Sequence, residues 1–314
     1  MTSCTIIISH YESIPFLHAC IRQIRKYKHP RIEQRIYIID QSSGETFEEI
    51  EGYFRSHDIY VVRTPALYSG FGIDYYIRNY NIVTDYVCQL HVDAFPIHRN
   101  WLYLPIKLIE ENNLYFVGQL HFISKSTDTI YPPNNPFFSM SPTFNVAKAE
   151  TYKEMSEEAG FTRFHNRERA GLEFKNNDWM NWAKDDYNAR GSDDDVVAFH
   201  WEDKYREHDK LGLEISGFIQ PNFGRIIDDL VFHFCSANES RGVDMGDEYN
   251  SFTKRISENY SDELINEMIE LAKKNKPNGS EILSRNFWNG TTKQSSPPSD
   301  ELNKRIEELK NVTN

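Results

Sequence analysis

An aspartate and a histidine in two distant segments carry side chains of the kind that bind a divalent cation. Asp93 comes directly after a predicted strand, in the segment 90–96, and His233 lies within the apolar run 226–234. A carboxylate oxygen is a hard ligand for Mg²⁺ or Mn²⁺, and neutral imidazole suits Mn²⁺. The same residue types also serve as a turn former and as a core histidine. Each signal is weak alone, and the two indicate a metal site only together with the motifs around them.

Two further acidic segments offer different chemistry. Residues 191–195 read Gly-Ser-Asp-Asp-Asp and open a predicted helix, where acidic side chains stabilise the helix N-terminus. One carboxylate of this run, Asp194 or Asp195, can also act as a general base. Asp40 ends a predicted strand and precedes the turn 41–44. It can accept a hydrogen bond from a nucleobase or ribose, or it can belong to an ordinary turn between a strand and a helix.

The elements that must position these groups alternate between strands and helices. The hydrophobic pattern predicts strands at 4–9, 35–40, 59–62 and 86–91, and helices from Ser13 to His29, at 46–57 and at 72–83. This order predicts an α/β fold with a parallel, doubly wound sheet and helices on both faces. In such sheets ligands bind beyond the carboxyl ends of the strands, where Asp40 and Asp93 are expected.

The second half of the chain is less regular. Prolines in 126–142 predict a loop or lid, and residues 276–298 have the composition of a linker. Between and after them we predict a strand followed by a helix at 144–159, strands at 213–219 and 229–235, and helices at 194–211, 261–274 and 299–310. We therefore expect one domain over 1–240 and a helical extension with a polar tail over 241–314.

Composition excludes several classes of protein. The 314 residues carry a formal net charge of −12, which argues against a nucleic-acid partner because such binding needs a dense basic face. A run of about 18 apolar residues is missing, so we expect no transmembrane segment. The first residues lack a signal-peptide pattern, and four scattered cysteines suit buried thiols in a reducing compartment. These features predict a cytoplasmic protein.

The order of the motifs resembles that of glycosyltransferases with the GT-A fold, particularly the large inverting family 2. Residues 6–12 match the family's opening strand and His/Thr-Tyr-type turn, and residues 39–44 match its Val-Asp-Asn-Gly-Ser-like turn. Residues 69–72 and 77–79 match its Gly-rich turn and the helix that carries Ala-Arg-Asn. Residues 91–102 match its Asp-x-Asp motif with the following Pro and Trp-Leu. Asp194-Asp195 match its acidic helix start and His233 its late metal ligand, so the resemblance covers about residues 4–238.

The resemblance implies transfer of a sugar, with inversion, from a nucleoside-diphosphate sugar to a hydroxyl acceptor, a saccharide or glycan. It implies that Asp93 and His233 hold Mn²⁺ or Mg²⁺ and that Asp195, or else Asp194, is the general base. The donor half would span about 1–100 and the acceptor half about 101–240. The implied donor-binding residues are His10, Tyr11, Glu12, Asp40, Gly70, Arg78, His91 and Val92. Trp179 and Trp182 form an acceptor wall or belong to the core.

Two positions depart from the family's pattern. His91 stands at the first acidic position of Asp-x-Asp, where it either contacts ribose or binds the metal itself with an altered metal preference. The acidic helix start reads Asp-Asp-Asp instead of Glu-Asp, which leaves both candidates for the base open.

Two alternative functions remain beside this interpretation, and the role of the last helix is also open. A non-catalytic nucleotide- or sugar-binding module derived from such a transferase is favoured by His91 and opposed by the retained acidic residues and His233. A sugar nucleotidyltransferase is disfavoured because residues 9–13 contain neither Gly nor Lys. The last helix carries Leu302, Ile306 and Leu309 on one face, which allows an oligomer through the C-terminal helices or a tail docked on its own chain.

Overall fold

The structure is a computed structural model of the chain. It describes residues 1–11, 14–42, 44–55, 59–63, 80–123, 137–151, 153, 212–214, 219–220, 224–227, 229–233, 255, 261–274, 287–288 and 300–313.

The first part of the chain forms the predicted parallel sheet. Four neighbouring strands run in the same direction in the order β4-β1-β2-β3. Their bounds are Thr2–His10 for β1, Ile32–Asp40 for β2, Ile59–Arg63 for β3 and Tyr86–His91 for β4. Among the described residues, α1 (Ile14–Lys26) joins β1 to β2, and α2 (Gly44–Phe54) joins β2 to β3. Of the predicted helix at 72–83, residues 80–83 are not helical and the others lie outside the described residues.

The burial of their apolar residues explains why the sequence predicts β1 and α1 correctly. Ile6, Ile7 and Ile8 in β1 are all fully buried, as a β-branched run between two sheet faces should be. Leu17 and Ile24 of α1 lie one helical repeat apart and are also fully buried. Both elements therefore follow from the spacing of apolar residues.

The second part of the chain extends this sheet with four further strands, which pair in both orientations. Among the described residues the sheet has eight strands, in the order β12-β8-β6-β7-β4-β1-β2-β3. The added strands are β6 (Phe116–Ile123), β7 (Phe137–Lys148), β8 (Gly212–Glu214) and β12 (Phe287–Trp288), with α3 (Tyr103–Asn112) before β6. β7 lies antiparallel to both β4 and β6, so the sheet is mixed although mostly parallel. The α/β fold class that the sequence predicted is confirmed.

The predicted loop at 126–142 is wrong for its last six residues, because 137–142 belong to β7. The four prolines of that segment suggested an interruption, and Pro142 indeed falls at an irregularity. Gly118 of β6 pairs with Asn145, and Leu120 pairs with Met140, so residues 141–144 have no ladder partner in β6. A proline is tolerated there because no hydrogen bond to β6 is lost.

Gly118 lies at a close approach between β6 and β7. A Cβ atom added there would lie about 2.4 Å from Asn145 Cβ and 2.6 Å from its Cα. We expect Gly118→Ala to lower the free energy of unfolding by about 1–3 kcal/mol, because backbone atoms must move. Gly52→Ala is the matched control: nothing lies within 4 Å of its added Cβ. Since Gly52 lies in α2, this change should stabilise by about 0.5–1 kcal/mol. Urea unfolding of both variants checks the prediction, and equal effects would contradict it.

The chain also forms a second, smaller sheet. It is antiparallel, in the order β5-β11-β10-β9 among the described residues. The strands are β5 (Ala94–Pro96), β9 (Ile219–Gln220), β10 (Gly224–Ile227) and β11 (Val231–His233). β5 follows β4 after a turn of two residues, so the two sheets are joined where β4 ends.

The C-terminal helices, α4 (Asp262–Lys274) and α5 (Asp300–Lys310), pack on the same core. Leu302, Ile306 and Leu309 of α5 are buried within the chain. Arg305 of α5 also forms an ion pair with Glu111 of α3, at 2.6 Å. The apolar face that suggested an oligomer is therefore covered by this chain itself. The domain boundary at 240 stays a prediction.

Asn100 secures the end of α5. Its Nδ2 lies 3.0, 2.7 and 3.0 Å from the carbonyl oxygens of Leu309, Lys310 and Val312, and the residue is 1% exposed. We expect Asn100→Ala to lower the free energy of unfolding by about 1–3 kcal/mol, because buried carbonyls lose their donor. Asn112→Ala is the control, since among the described residues Asn112 donates to Leu108 of its own helix and to no other element. Denaturant unfolding should show the larger loss for Asn100, and equal losses would count against this role.

None of the described helices combines the length and the apolar character that crossing a membrane requires.

Candidate functional site

The chemical groups predicted from the sequence gather at one edge of the main sheet. β4, β1 and β2 are adjacent and parallel, so their carboxyl ends meet at the same edge. His10 at the end of β1 is in register with Asp40 at the end of β2. Ser9 is in register with His91 at the end of β4. The strand order therefore brings three predicted site residues together.

His10 and Asp40 form a fully buried pair. Their side chains are 0% exposed, and His10 Nδ1 lies 2.8 Å from Asp40 Oδ1. A carboxylate oxygen can only accept, so Nδ1–H donates to it. Ser42 donates to the same oxygen twice, from its hydroxyl at 2.7 Å and from its main-chain N–H at 3.2 Å. These contacts hold the carboxylate in one orientation.

The second oxygen of Asp40 has a different environment. Oδ2 is buried and accepts no hydrogen bond from the part of the chain that the structure describes. Buried carboxylate oxygens in proteins almost always have a partner, because leaving one unpaired costs about 1–3 kcal/mol or more. The Asp40 carboxylate therefore has one oxygen held by the protein and one that suits a donor from a ligand.

The second group of side chains is assembled by the small sheet. Asp93 lies in the turn between β4 and β5, and Ala94 of β5 is in register with His233 of β11. A tight turn sets this register: Asp229, between β10 and β11, has a φ of 58°, a left-handed conformation that Asp tolerates. The main chain extends the pairing, since Ile97 N–H donates to Leu230 O at 2.9 Å. His233 is thereby brought to Asp93.

His91, Asp93 and His233 form a group of ligand atoms suited to a metal ion. His233 Nε2 lies 3.3 Å from Asp93 Oδ1, and His91 Nδ1 lies 3.9 Å from the same oxygen. The three ligand atoms are all within 4.8 Å of one another. Ligands on one ion with bonds of about 2.0–2.2 Å are separated by no more than about 4.4 Å. Two of the separations already meet this limit, so small side-chain rotations would complete the site.

The burial of this group also suits a bound ion. The side chains of Asp93 and His233 are 8% and 11% exposed, while that of His91 is 32% exposed. The protein therefore surrounds Asp93 and His233, and the group opens on the side of His91. An ion held there would be accessible to oxygen atoms of a ligand from this side.

Cys20 of α1 is the thiol next to this group and does not belong to it. Its Sγ lies 3.4 Å from Ala94 O, and the residue is fully buried. Burial, and secondly the charge of Asp93, raises the pKa of the Cys20 thiol well above its ordinary value. The thiol form, whose Sγ donates to the Ala94 carbonyl, is therefore favoured over the thiolate. Burial raises the pKa of Cys4 and Cys88 in the same way, and all three are the expected buried thiols.

The remaining predicted site residues fall into two sets. Tyr11 is half exposed at the end of β1, and the side chain of Val92 lies in the hydrophobic core, so only its main chain is left for a ligand. The others lie outside the described residues, as does Cys235: Glu12, Gly70, Arg78, Trp179, Trp182, Asp194 and Asp195. Sequence reasoning missed Ser42 as the residue that orients Asp40. A serine two positions after an aspartate at a strand end is the signal that could have found it.

A comparison with protein families finds a match over residues 5–168, to the family described as Glycosyl transferase family 2. This segment contains His10, Asp40, His91 and Asp93, and His233 lies beyond it. No curated protein matches the chain at a significant level.

Solved structures show weaker likenesses. TarS of S. aureus is 13% identical, with a TM-score of 0.37 over 52% of this chain and 50% of that chain. The mannosyltransferase PcManGT from Pyrobaculum calidifontis, solved with GDP-Man and Mn²⁺, is 16% identical, with a TM-score of 0.38 over 52% and 47%. The galactosyltransferase LgtC, solved with donor and acceptor sugar analogs, is 8% identical, with a TM-score of 0.49 over 83% and 99%. The matches to TarS and PcManGT thus span about half the length of those chains.

Proposed function

Because the chain belongs to glycosyl transferase family 2, we propose that it transfers a sugar from a nucleoside-diphosphate sugar to a hydroxyl group of a saccharide or glycan. The proposal rests on one observation: a group of cation ligands and the buried His10–Asp40 pair share one edge of the sheet. A nucleoside diphosphate has the complementary parts, since its base carries N–H donors and its diphosphate carries negative charge. The mostly parallel sheet with flanking helices agrees with the GT-A fold that the resemblance implies.

Asp40 and His10 are proposed to bind the nucleoside. Asp40 Oδ2 is the acceptor without a protein partner among the described residues, so an N–H group of the base is its natural donor. His10 and Ser42 hold the other oxygen and prevent the carboxylate from turning away. Tyr11 and Arg78 are further candidates for contacts with the donor.

Asp93 and His233 are proposed to hold Mn²⁺ or Mg²⁺. When bound, such an ion supplies positive charge that offsets the charge developing on the departing diphosphate. A cation is needed at this site because Asp93 alone would repel a diphosphate and the protein carries a net charge of −12. Without an ion, the site has the wrong sign for its ligand.

The acceptor side is proposed from the sequence alone. Asp195, with Asp194 as the second choice, would take the proton of the acceptor hydroxyl as the new bond forms. A single displacement of this kind inverts the anomeric centre. Trp179 and Trp182 would present ring faces to the acceptor sugar. All four residues lie outside the described part of the structure.

The first test is thermal unfolding with UDP, GDP, CDP and TDP, each with Mn²⁺, with Mg²⁺ and with EDTA. A ligand that binds the folded state at about 100 times its Kd stabilises it by about 2.7 kcal/mol, which gives a clear shift. We expect one nucleotide to raise the unfolding temperature and EDTA to remove most of that rise. A chain that responds to none of the four with metal present would overturn the assignment of the donor site.

A second test separates a transferase from a binding module. The responsive nucleotide is supplied as its sugar conjugate, and release of the nucleoside diphosphate is followed with and without a saccharide acceptor. We expect release that depends on the acceptor, and we expect Asp195→Asn to suppress it while nucleotide binding is retained. Binding without release under any condition would favour the non-catalytic module.

A further inference from the structure

We propose that His91 is a direct metal ligand, and that His91, Asp93 and His233 form a site of two imidazoles and one carboxylate that selects a transition-metal ion over Mg²⁺. This deepens the proposed function at the same site, and it can be tested by metal binding alone. The family's motif has an acidic residue at the position of His91, so the choice of ion is a property of this chain.

The geometry favours ligation over other roles for His91. Its Nδ1 and His233 Nε2 approach the same atom, Asp93 Oδ1, at 3.9 and 3.3 Å. The two rings lie edge to face, with centroids 5.5 Å apart and planes at 67°. A distance of 3.9 Å is too long for a hydrogen bond, so His91 is not in place merely as a donor to Asp93. Two ring nitrogens and one carboxylate oxygen, all within 4.8 Å of one another, form a cluster that suits one shared ion.

The position of His91 in the fold gives a second reason. It is the last residue of β4, and its side chain is about one-third exposed, on the open side of the group. Asp93 and His233 are nearly buried behind it. An ion bound by those two residues would therefore lie within reach of His91 before any ligand from solution arrives.

The donor set decides the preference among ions. Mg²⁺ is small, demands oxygen ligands in octahedral geometry and is usually bound through one or two carboxylates and water. Imidazole suits the later first-row metals, and affinity for mixed N/O sites rises from Mn²⁺ through Fe²⁺ and Co²⁺ towards Cu²⁺. With two imidazoles against one carboxylate, we expect Mn²⁺ and Co²⁺ to bind in preference to Mg²⁺.

The experiment uses the full chain, stripped with EDTA and exchanged into metal-free buffer. Mn²⁺ is titrated with its EPR signal as the readout, and Mg²⁺ is then added as the competitor, first without nucleotide and then with UDP. The electron spin echo of bound Mn²⁺ is recorded as well, because nitrogen bound directly to Mn²⁺ modulates it. Four variants accompany the wild type: His91→Ala, His91→Asp, His233→Ala and the control His18→Gln, a half-buried histidine of α1 that packs on Tyr53 and Phe54.

We expect wild-type protein to retain Mn²⁺ against a large excess of Mg²⁺ and to show modulation from two imidazoles. His91→Ala should lower Mn²⁺ affinity about tenfold or more, since even outer-shell partners of metal ligands contribute that much. It should also leave modulation from one imidazole. His91→Asp should lower the preference for Mn²⁺ over Mg²⁺ by about tenfold or more, because it exchanges nitrogen for oxygen. His18→Gln should match the wild type in every readout.

Three results would overturn the proposal. The first is that the wild-type protein binds neither ion. The second is that both His91 variants and the wild type prefer Mn²⁺ over Mg²⁺ to the same degree. The third is that the nitrogen modulation is unchanged in His91→Ala. Circular dichroism and the unfolding midpoint identify a variant that fails to fold, and His91→Asp then carries the test alone. Selective metal binding without any response to nucleotides would leave this proposal standing and overturn the proposed function. A nucleotide response that is equally strong with Mg²⁺ and with Mn²⁺ would support the proposed function and overturn the proposed selectivity for a transition metal.

Discussion

Asp93→Asn is expected to abolish metal binding and to lower kcat by about 10²–10³-fold. The carboxylate oxygen of Asp93 is the atom that both histidines of the group approach, so it is the centre of the ligand set. The amide has the same shape but no charge. A metal contributes several kcal/mol of charge stabilisation to a transition state, and a loss of about 3–4 kcal/mol corresponds to this change in rate. Mn²⁺ binding by EPR and release of the nucleoside diphosphate are the measurements.

Asp85→Asn is the matched control for that prediction. Asp85 precedes β4 at the opposite end of the strand, where its carboxylate accepts hydrogen bonds from the main-chain N–H and the hydroxyl of Ser3. These hydrogen bonds lower the pKa of Asp85. The ionised Asp85 carboxylate therefore stabilises the fold at neutral pH, and this stabilisation is lost as the pH falls through the lowered pKa. We expect Asp85→Asn to affect stability and to leave metal binding intact. Equal loss of Mn²⁺ binding in both variants would show that the effect of Asp93→Asn is structural.

Asp40→Asn is expected to raise the Kd for the nucleoside diphosphate by about 10–100-fold. With Oδ1 of the new amide still held by His10 and Ser42, the amide NH₂ takes the place of Oδ2. The position then offers a donor where the base also offers a donor. Hydrogen bonds to a charged group are worth about 1.5–3 kcal/mol, and each 1.4 kcal/mol is a factor of about ten in affinity. Calorimetry with the nucleotide that responds in thermal unfolding, in the presence of Mn²⁺, measures the change.

Ser42→Ala tests whether Oδ2 is the atom that matters. This variant removes the hydroxyl that donates to Oδ1 at 2.7 Å and leaves Oδ2 unchanged. We expect a loss of affinity below about tenfold, since a neutral hydrogen bond contributes about 0.5–1.5 kcal/mol. If Ser42→Ala weakens binding as much as Asp40→Asn, the orientation of the carboxylate is the important property, and the assignment of Oδ2 to the base is wrong.

Much of the first half of the fold could be predicted from the sequence. The buried run Ile6–Ile8 and the apolar stripe of α1 are local signals, because each element's spacing of apolar residues reflects the faces it must bury. Alternation of such elements then implies a parallel sheet, since parallel strands need crossover connections. The positions of His10, Asp40 and His91 at or next to strand ends follow from these local signals.

In the second half the helices α4 and α5 lie where the sequence predicts them, whereas several strands could not be predicted, for a physical reason. β7 pairs antiparallel with β4 and β6, and its one proline, Pro142, and its polar residues hide a strand that the neighbouring strands stabilise. β12 consists of two residues, Phe287 and Trp288, within a segment whose composition indicates a linker. Pairing partners far along the chain, which local propensity does not report, decide such strands.

In the candidate site, too, some features could be predicted from the sequence and others depend on the tertiary structure. By itself, the sequence determined the residue types and their positions at the ends of strands, because hydrophobic periodicity and turn residues act over a few neighbours. Only the tertiary structure decided that His233 lies 3.3 Å from Asp93 and that His10 Nδ1 lies 2.8 Å from Asp40 Oδ1. The first contact depends on the pairing of β5 with β11, which no local pattern encodes, since register between distant strands is chosen by the packing of the whole sheet.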